Sequence, residues 1–185
     1  MMILLLLAAQ VATPKDGSEP APKEEAFVDD SAPPPAQLEA LKVFAGTWNC
    51  AGKASTELAE EVPTRVTLTF KADLGRWLNV RIEEQRSKDN PHASTSLEVW
   101  GFSKALGGLV RNGADSQGGF YSGTSTGWLA DRFWWTTDSV KNGKRVKLKD
   151  TFTKKSDREL DLERAVDMSG TGDAYRVFYE GTCKR

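Results

Sequence analysis

From residue 46 onward, apolar residues alternate with polar ones in short segments, and each segment ends at a turn signal. Val66, Leu68 and Phe70 share one side of such a segment, and the residues between them are polar. The same period of two recurs, with gaps, at Leu78–Ile82, Leu97–Val99, Trp128–Thr137, Val146–Phe152, Leu160–Leu162 and Tyr175–Tyr179. Asn142-Gly143 is a favoured two-residue hairpin pair. This pattern predicts nine or ten short antiparallel strands.

Strands joined by short turns pair most simply in up-and-down order, and closure of the sheet removes its exposed edges. Before the strands, Ala36–Phe44 places Leu38, Leu41 and Phe44 on one side of a short helix, which Gly46 can end in a left-handed conformation. The sequence therefore predicts an all-β domain over residues 36–185. Its expected architecture is a single closed antiparallel up-and-down barrel of about ten strands with a short N-terminal helix.

Two segments precede this domain. Residues 1–12 are apolar, too short to span a bilayer, and contain small residues at Ala8, Ala9 and Ala12, which predicts a signal peptide and no transmembrane segment. Residues 13–35 hold six of the eight prolines and six acidic residues against two lysines. Such a composition cannot bury enough apolar surface to offset its ordering entropy, so a disordered spacer is expected. The predicted location is secreted or periplasmic.

The two cysteines lie on the first and last predicted strands. In an up-and-down barrel these strands are neighbours, so Cys50 and Cys183 are expected to form a disulfide in an exported protein. If the leader is not a signal, two reduced buried thiols are the alternative.

Several stretches resemble those of known barrels. Phe44-Ala45-Gly46-Thr47-Trp48 resembles the Gly-x-Trp start of calycin-type barrels, the group of lipocalins, fatty-acid-binding proteins and nitrobindins. Residues 74–78, 125–128, 150–155 and 180–183 are similar to a more specific group, a bacterial family of exported calycin-like barrels. The resemblance implies that Trp48 plugs one end of the barrel beneath Lys184 or Arg185, and it implies no particular activity.

Composition excludes several functions. A net charge of -1 gives no reason to expect a nucleic-acid partner, and one His and two distant Cys do not form a metal-binding pattern. Ser125 lies in a G-x-S-x-G pattern, but the next segment predicts a strand and the single His, His92, comes earlier, so a nucleophilic serine is not expected. His92 beside Pro91 fits an exposed loop, and we therefore expect no haem or other cofactor.

Charged residues continue the apolar side of three predicted strands. Glu84 follows Ile82, Asp150 falls between Leu148 and Phe152, and Arg164 follows Leu162 in the same alternation. If these sides face inward, the charges must pair with each other or with a ligand, because unpaired burial is costly. The alternative is that they lie at the solvent-exposed rim.

The six tryptophans present a similar choice. Trp134 and Trp135 are consecutive in a strand, so one faces outward. The first functional hypothesis is a non-enzymatic barrel that binds a small amphipathic ligand, as a monomer or weak homodimer. Its predicted site consists of Trp100, Trp128, Asp150, Arg164, Tyr179 and Glu84. The alternatives are an acid–base enzyme, of isomerase or cyclase type, that uses Glu84 or Asp150, and a solid envelope interaction module that uses the outer Trp.

Overall fold

The computed structural model describes residues 36–55, 60–141 and 143–185. The predicted signal peptide, the predicted spacer and Asn142 of the predicted hairpin lie outside these residues. A single 3-10 turn, Ala36–Leu38, leads into α1, Glu39–Lys42, which is shorter than the predicted helix. Eleven strands follow: β1 (Gly46–Ser55), β2 (Glu61–Asp73), β3 (Trp77–Glu84), β4 (Thr95–Ser103), β5 (Gly108–Asp115), β6 (Phe120–Ser125), β7 (Trp128–Leu129), β8 (Arg132–Lys141), β9 (Lys144–Ser156), β10 (Glu159–Asp167) and β11 (Arg176–Lys184).

Ten of the strands form a closed antiparallel ring. Consecutive strands pair from β1 to β6 and from β8 to β11, and β1 also pairs with β11. The ring is completed between β6 and β8, where residues 121–124 pair with residues 136–139. The two-residue β7 pairs with the start of β8 and lies outside the ring. The predicted closed barrel is therefore confirmed.

The disulfide joins the first strand to the last. Cys50 lies directly opposite Cys183 in the β1–β11 register, and their sulfur atoms are 2.01 Å apart. The predicted pairing is confirmed. The bond links the neighbouring strands β1 and β11 through two residues that are 133 positions apart in sequence.

The aromatic stretch Trp128–Thr137 is not the single strand that its composition predicts. Ala130 adopts a left-handed conformation, with φ of 55°, and turns the chain between β7 and β8. That prediction was wrong because the turn at Ala130 contains no Gly or Pro that would signal it in the sequence. The turn places Trp128 at the end of the barrel where α1 lies, which we call the helix end.

Trp48 and the C-terminal residue close the helix end. Trp48 is fully buried, and its indole Nε1 donates a hydrogen bond to the Phe44 carbonyl at 2.8 Å. Arg185 lies over the indole, with its Cζ 4.6 Å from the ring centroid, and also donates to the carbonyls of Val43 and Ala45. Of the two basic residues that the resemblance allowed for this position, Arg185 occupies it, whereas Lys184 pairs with Glu159 at 3.3 Å.

Replacing Arg185 with Gln is expected to lower the free energy of unfolding by about 1 kcal/mol, because the cation–π contact and the two carbonyl contacts are lost together. Urea denaturation would measure the change. Lys184→Gln is the matched control, and it should have almost no effect because its ion pair is exposed. Equal effects of the two substitutions would show that Arg185 does not hold Trp48.

Candidate functional site

The half of the lumen next to the helix end is filled by aromatic rings. Phe44 contacts five of them, with centroid distances from 4.9 to 5.7 Å: Phe70, Trp100, Trp128, Phe133 and Phe152. Trp128 Nε1 donates to the carbonyl of Ala40 at 2.7 Å, which fixes its ring beside the helix. Trp128 therefore contributes to the plug of the barrel rather than to a pocket around Asp150, which corrects the site predicted from sequence.

A row of polar side chains crosses the inner wall in the other half of the lumen. Trp135, Asp150, Arg164 and Tyr179 lie opposite one another on the adjacent strands β8, β9, β10 and β11. Asp150 is buried, with 3% of its surface exposed, and its Oδ1 accepts a hydrogen bond from Arg164 Nε at 3.1 Å. The alternative that Asp150 lies at the rim is therefore wrong, since alternation on β9 carries it inside.

A second guanidinium, that of Arg111, contacts Asp150 from across the lumen. Arg111 lies on β5 and Asp150 on β9, and β6 and β8 lie between these two strands in the ring. Arg111 is almost fully buried, and its Nη1 lies 2.7 Å from Asp150 Oδ2. Its Nε and Nη2 both donate to Thr137 Oγ1, at 2.9 and 2.6 Å. Asp150 therefore lies between two guanidinium groups. That of Arg111 is deep in the lumen, and that of Arg164 is nearer the end of the barrel.

Glu98 is the second buried carboxylate of this cluster. Its Oε1 accepts from the Tyr121 hydroxyl at 2.9 Å, its Oε2 accepts from Trp100 Nε1, and Arg111 Nη1 lies 3.8 Å away. Two carboxylates and two guanidinium groups therefore balance in charge, and all four oxygens of Glu98 and Asp150 have donors. We call Glu98, Arg111, Asp150 and Arg164 the charge cluster.

Two glycines provide the space that the charge cluster needs. A Cβ on Gly123 would lie 2.5 Å from Thr137 Oγ1, the acceptor of Arg111. A Cβ on Gly113 would lie 2.7 Å from the Tyr121 ring and 2.9 Å from Glu98 Cγ. Any side chain at either position would displace a hydrogen-bonded partner of the cluster.

Little free space remains beside the charge cluster. A cavity of about 10 Å³, room for roughly one water molecule, lies between it and the apolar wall. Its lining is Val66, Leu68, Phe70, Ile82, Trp100, Arg111, Asp150, Phe152, Leu162 and Arg164. The predicted aromatic pocket is therefore not an open chamber in this conformation.

The end of the barrel opposite α1, which we call the mouth, is where solvent reaches the cluster. On one side of the mouth, inward positions are only half-buried: Ala54, Val62, Glu84, Leu148 and Arg164. One fifth of the Arg164 side chain is exposed, although its Nε is bonded to the buried Asp150. Glu84 lies beside it at the rim and accepts from the Ser94 backbone N–H at 3.0 Å. Arg164 therefore links the interior to the mouth.

The charges of the cluster support one another. Burial favours a neutral Asp150, but Arg111 and Arg164 outweigh that effect and hold the pKa of its carboxyl below the ordinary range. Burial likewise opposes the charge of Arg164, but Asp150, aided by Glu98 and Glu84, raises the pKa of its guanidinium. Burial raises the pKa of the Tyr121 phenol, and Glu98 raises it further. At neutral pH Asp150 and Arg164 are therefore ionised and Tyr121 is protonated.

Two polar groups in the row are buried without a hydrogen-bond partner among the described residues. They are the Trp135 indole Nε1 and the Tyr179 hydroxyl. Burial raises the pKa of Tyr179 to about 12, so its hydroxyl keeps its proton at neutral pH. Buried polar groups almost always have a partner, so such exceptions in a lumen call for an explanation.

Sequence reasoning missed Glu98 because it recognised β4 from Leu97 and Val99 on the other face, and it missed Arg111 on β5 because its partners are distant in sequence. Leu97 and Val99, whose alternation predicted the strand, are 59% and 41% exposed, and Ser96, Glu98 and Trp100 face the lumen. The signal that could have found Glu98 is Trp100, which was predicted to lie in the site and shares its face with Glu98.

The two residues considered for nucleophilic catalysis lie at opposite ends of the barrel. Ser125 ends β6 at the helix end, where its Oγ accepts from the backbone N–H of Gly127 at 3.1 Å. His92 is exposed in the loop between β3 and β4, at the mouth. The structure does not bring them together.

The fold and site define an all-β protein class, a ten-stranded closed barrel with a charged interior. Within residues 36–55, 60–141 and 143–185, no helix is both long and apolar enough to cross a bilayer.

Comparison with solved structures finds one barrel with a similar fold and two weaker matches. The crystal structure of Rv2717c from M. tuberculosis is similar, with a TM-score of 0.61 and 12% identity over 82% of this chain and 98% of that chain. A redesigned β-barrel, b11L5F_LGL, matches with a TM-score of 0.40 and 13% identity, over 79% of this chain and 94% of its own. EF1p2_mFAP2b bound to DFHBI matches with a TM-score of 0.36 and 15% identity, over 81% and 99%. No family model and no curated protein matches the sequence.

Proposed function

We propose that the protein is an exported calycin-like barrel that binds a small molecule without transforming it. The ligand places its polar end against Arg164 from the mouth, and the rest of the ligand stays at the mouth, because the lumen beyond has room for about one water molecule. The observation that carries this proposal is Arg164 itself. It is fixed to a buried carboxylate, is one-fifth exposed, and makes no hydrogen bond from its two Nη atoms to a described residue.

Rigid, preorganised groups favour binding because little freedom is lost when a ligand arrives. Asp150 and Arg111 fix the position of the Arg164 Nε, so its other nitrogens are held ready for a ligand. Export is supported by the Cys50–Cys183 disulfide, since such bonds persist mainly in oxidising compartments.

The test is a panel of fragments of about ten non-hydrogen atoms, each with an acid, amine, ketone or amide group, followed by ligand-observed NMR. At least one fragment is expected to bind saturably, and Arg164→Gln should weaken it roughly fivefold or more through the lost hydrogen bonds. Arg176→Gln, at the exposed start of β11, is the matched control. A folded protein that binds no fragment, or fragments that bind both variants equally, would contradict a site at Arg164.

The acid–base alternative receives no support at Asp150. That mechanism requires a carboxyl with a raised pKa beside an empty cavity, whereas Arg111 and Arg164 lower the pKa of Asp150. We therefore do not propose a catalytic role for it.

The interaction-module alternative is favoured by the nearly filled lumen. Trp134 faces outward and is half-buried, while the adjacent Trp135 is fully buried, and exposed Leu129 lies on β7 nearby. If the outer surface around Trp134 and Leu129 binds a partner, Trp134→Ser should abolish that binding. Arg164→Gln, inside the barrel, should leave it unchanged.

A further inference from the structure

Resting on the binding function proposed above, we infer that the ligand is recognised through an uncharged hydrogen-bond acceptor, such as a ketone, ester or lactone oxygen, received by Tyr179 and Arg164. The unpaired polar groups of the row, the Trp135 indole N–H and the Tyr179 hydroxyl, can both donate to such an acceptor.

The first step is an inventory of hydrogen-bonding capacity. The four oxygens of Glu98 and Asp150 already accept from Trp100, Tyr121, Arg111 and Arg164. The Trp135 Nε1–H and the Tyr179 hydroxyl have no hydrogen-bond partner among the described residues. The Arg164 guanidinium lies over the Phe178 ring, 5.4 Å from its centroid, and its Nη atoms make no hydrogen bond to a described residue. The indole and the guanidinium can only donate, and the hydroxyl can also donate. A complementary ligand must therefore supply an acceptor.

The second step is the position of these donors. Tyr179 lies directly opposite Arg164 across the β10–β11 pair, so their side chains leave neighbouring points of the same inner wall. The Tyr179 hydroxyl extends over Gly181, where a Cβ would clash with it. Arg164 borders the water-sized cavity and is exposed at the mouth. An acceptor atom bound at Arg164 is therefore next to the position from which the Tyr179 side chain leaves the wall.

The third step is charge, which separates a neutral acceptor from a carboxylate. The positive charges of Arg111 and Arg164 are balanced by Glu98 and Asp150, and Glu84 adds a further negative charge beside Arg164. A ligand carboxylate would bring an uncompensated charge into a poorly solvated site, which is costly. A carbonyl oxygen uses the same donors without that cost.

The test compares four probes of similar size by ligand-observed NMR titration of the full chain. Acetophenone carries the neutral acceptor, α-methylstyrene replaces its oxygen with CH₂, benzoate carries a charged acceptor, and benzylamine carries a cationic donor. Acetophenone is expected to bind roughly fivefold more tightly than each of the others, the effect of about one hydrogen bond.

Tyr179→Phe should remove most of that preference, because only the hydroxyl is lost. Tyr175→Phe, outside the row and beside Lys147, is the matched control and should keep the preference. The melting temperature of free Tyr179→Phe should equal or exceed that of the wild type, since its hydroxyl has no partner to lose.

The outcomes separate this inference from the binding function. If benzoate or benzylamine binds best, or if acetophenone and α-methylstyrene bind equally, the protein is a binding barrel but the ligand class is wrong. If none of the four probes and no fragment of the earlier panel binds, both are wrong. A clear drop in the melting temperature of Tyr179→Phe would show that the hydroxyl is already partnered, which also overturns the inference.

Discussion

Replacing both Cys50 and Cys183 with Ala is expected to lower the free energy of unfolding by up to about 5 kcal/mol, and the melting temperature by about 10–20 °C. The reason is the length of chain between them. The bond joins residues 133 positions apart, so it removes much of the freedom of the unfolded chain. It also holds together the β1–β11 pair, which closes the sheet. Thermal unfolding followed by circular dichroism would measure the shift.

The control for this prediction is chemical reduction. A strong reductant should shift the wild type by the same amount as the double substitution and should leave the double variant unchanged. A double variant within about 1 kcal/mol of the wild type would mean that strand pairing alone closes the barrel, and that the bond adds little.

Replacing Arg111 with Met is expected to cost about 3–5 kcal/mol of stability. The methionine fills similar space, but Asp150 and Glu98 lose the cation that lies deepest in the lumen. Urea denaturation would measure the loss. It is a large part of the free energy of unfolding of a domain of ordinary stability. Arg81→Met is the matched control, because the Arg81–Glu83 pair is exposed and worth little.

A compensating variant separates loss of the charge network from loss of packing. Substituting Glu98→Gln, Asp150→Leu and Arg111→Met together removes three of the four charges and leaves Arg164, which is one-fifth exposed, beside Glu84 at the mouth, so much of the lost stability should return. If the triple variant is as unstable as Arg111→Met, the shape of the Arg111 side chain matters more than its charge.

The fold was predictable because its signals are local. Alternation on β2, β3 and β9 gives the correct inward faces, and the placement of Cys50 and Cys183 on the outermost strands gives the closure. The charged part of the candidate site was predictable only where a charge interrupts an apolar face, as Asp150 and Arg164 do.

The remaining residues escaped because their partners are distant in sequence. Arg111 is buried only because Asp150 and Thr137 surround it, and neither is visible in the sequence near position 111. On β4, the buried network draws Glu98 inward and leaves Leu97 outside, so the usual rule of apolar residues inside is reversed. Alternation fixes the two faces of a strand, but packing decides which face is buried.

The pairing of the first strand with the last also affects how the protein forms. Contacts between residues so far apart are made late and slowly, since the whole chain must first be gathered. While the final strand is still missing, the growing sheet has two bare edges and β1 has no neighbour on one side. Until synthesis reaches that strand, the nascent chain is open to mispairing with other copies, and oxidation of the thiols must follow alignment of the two edges.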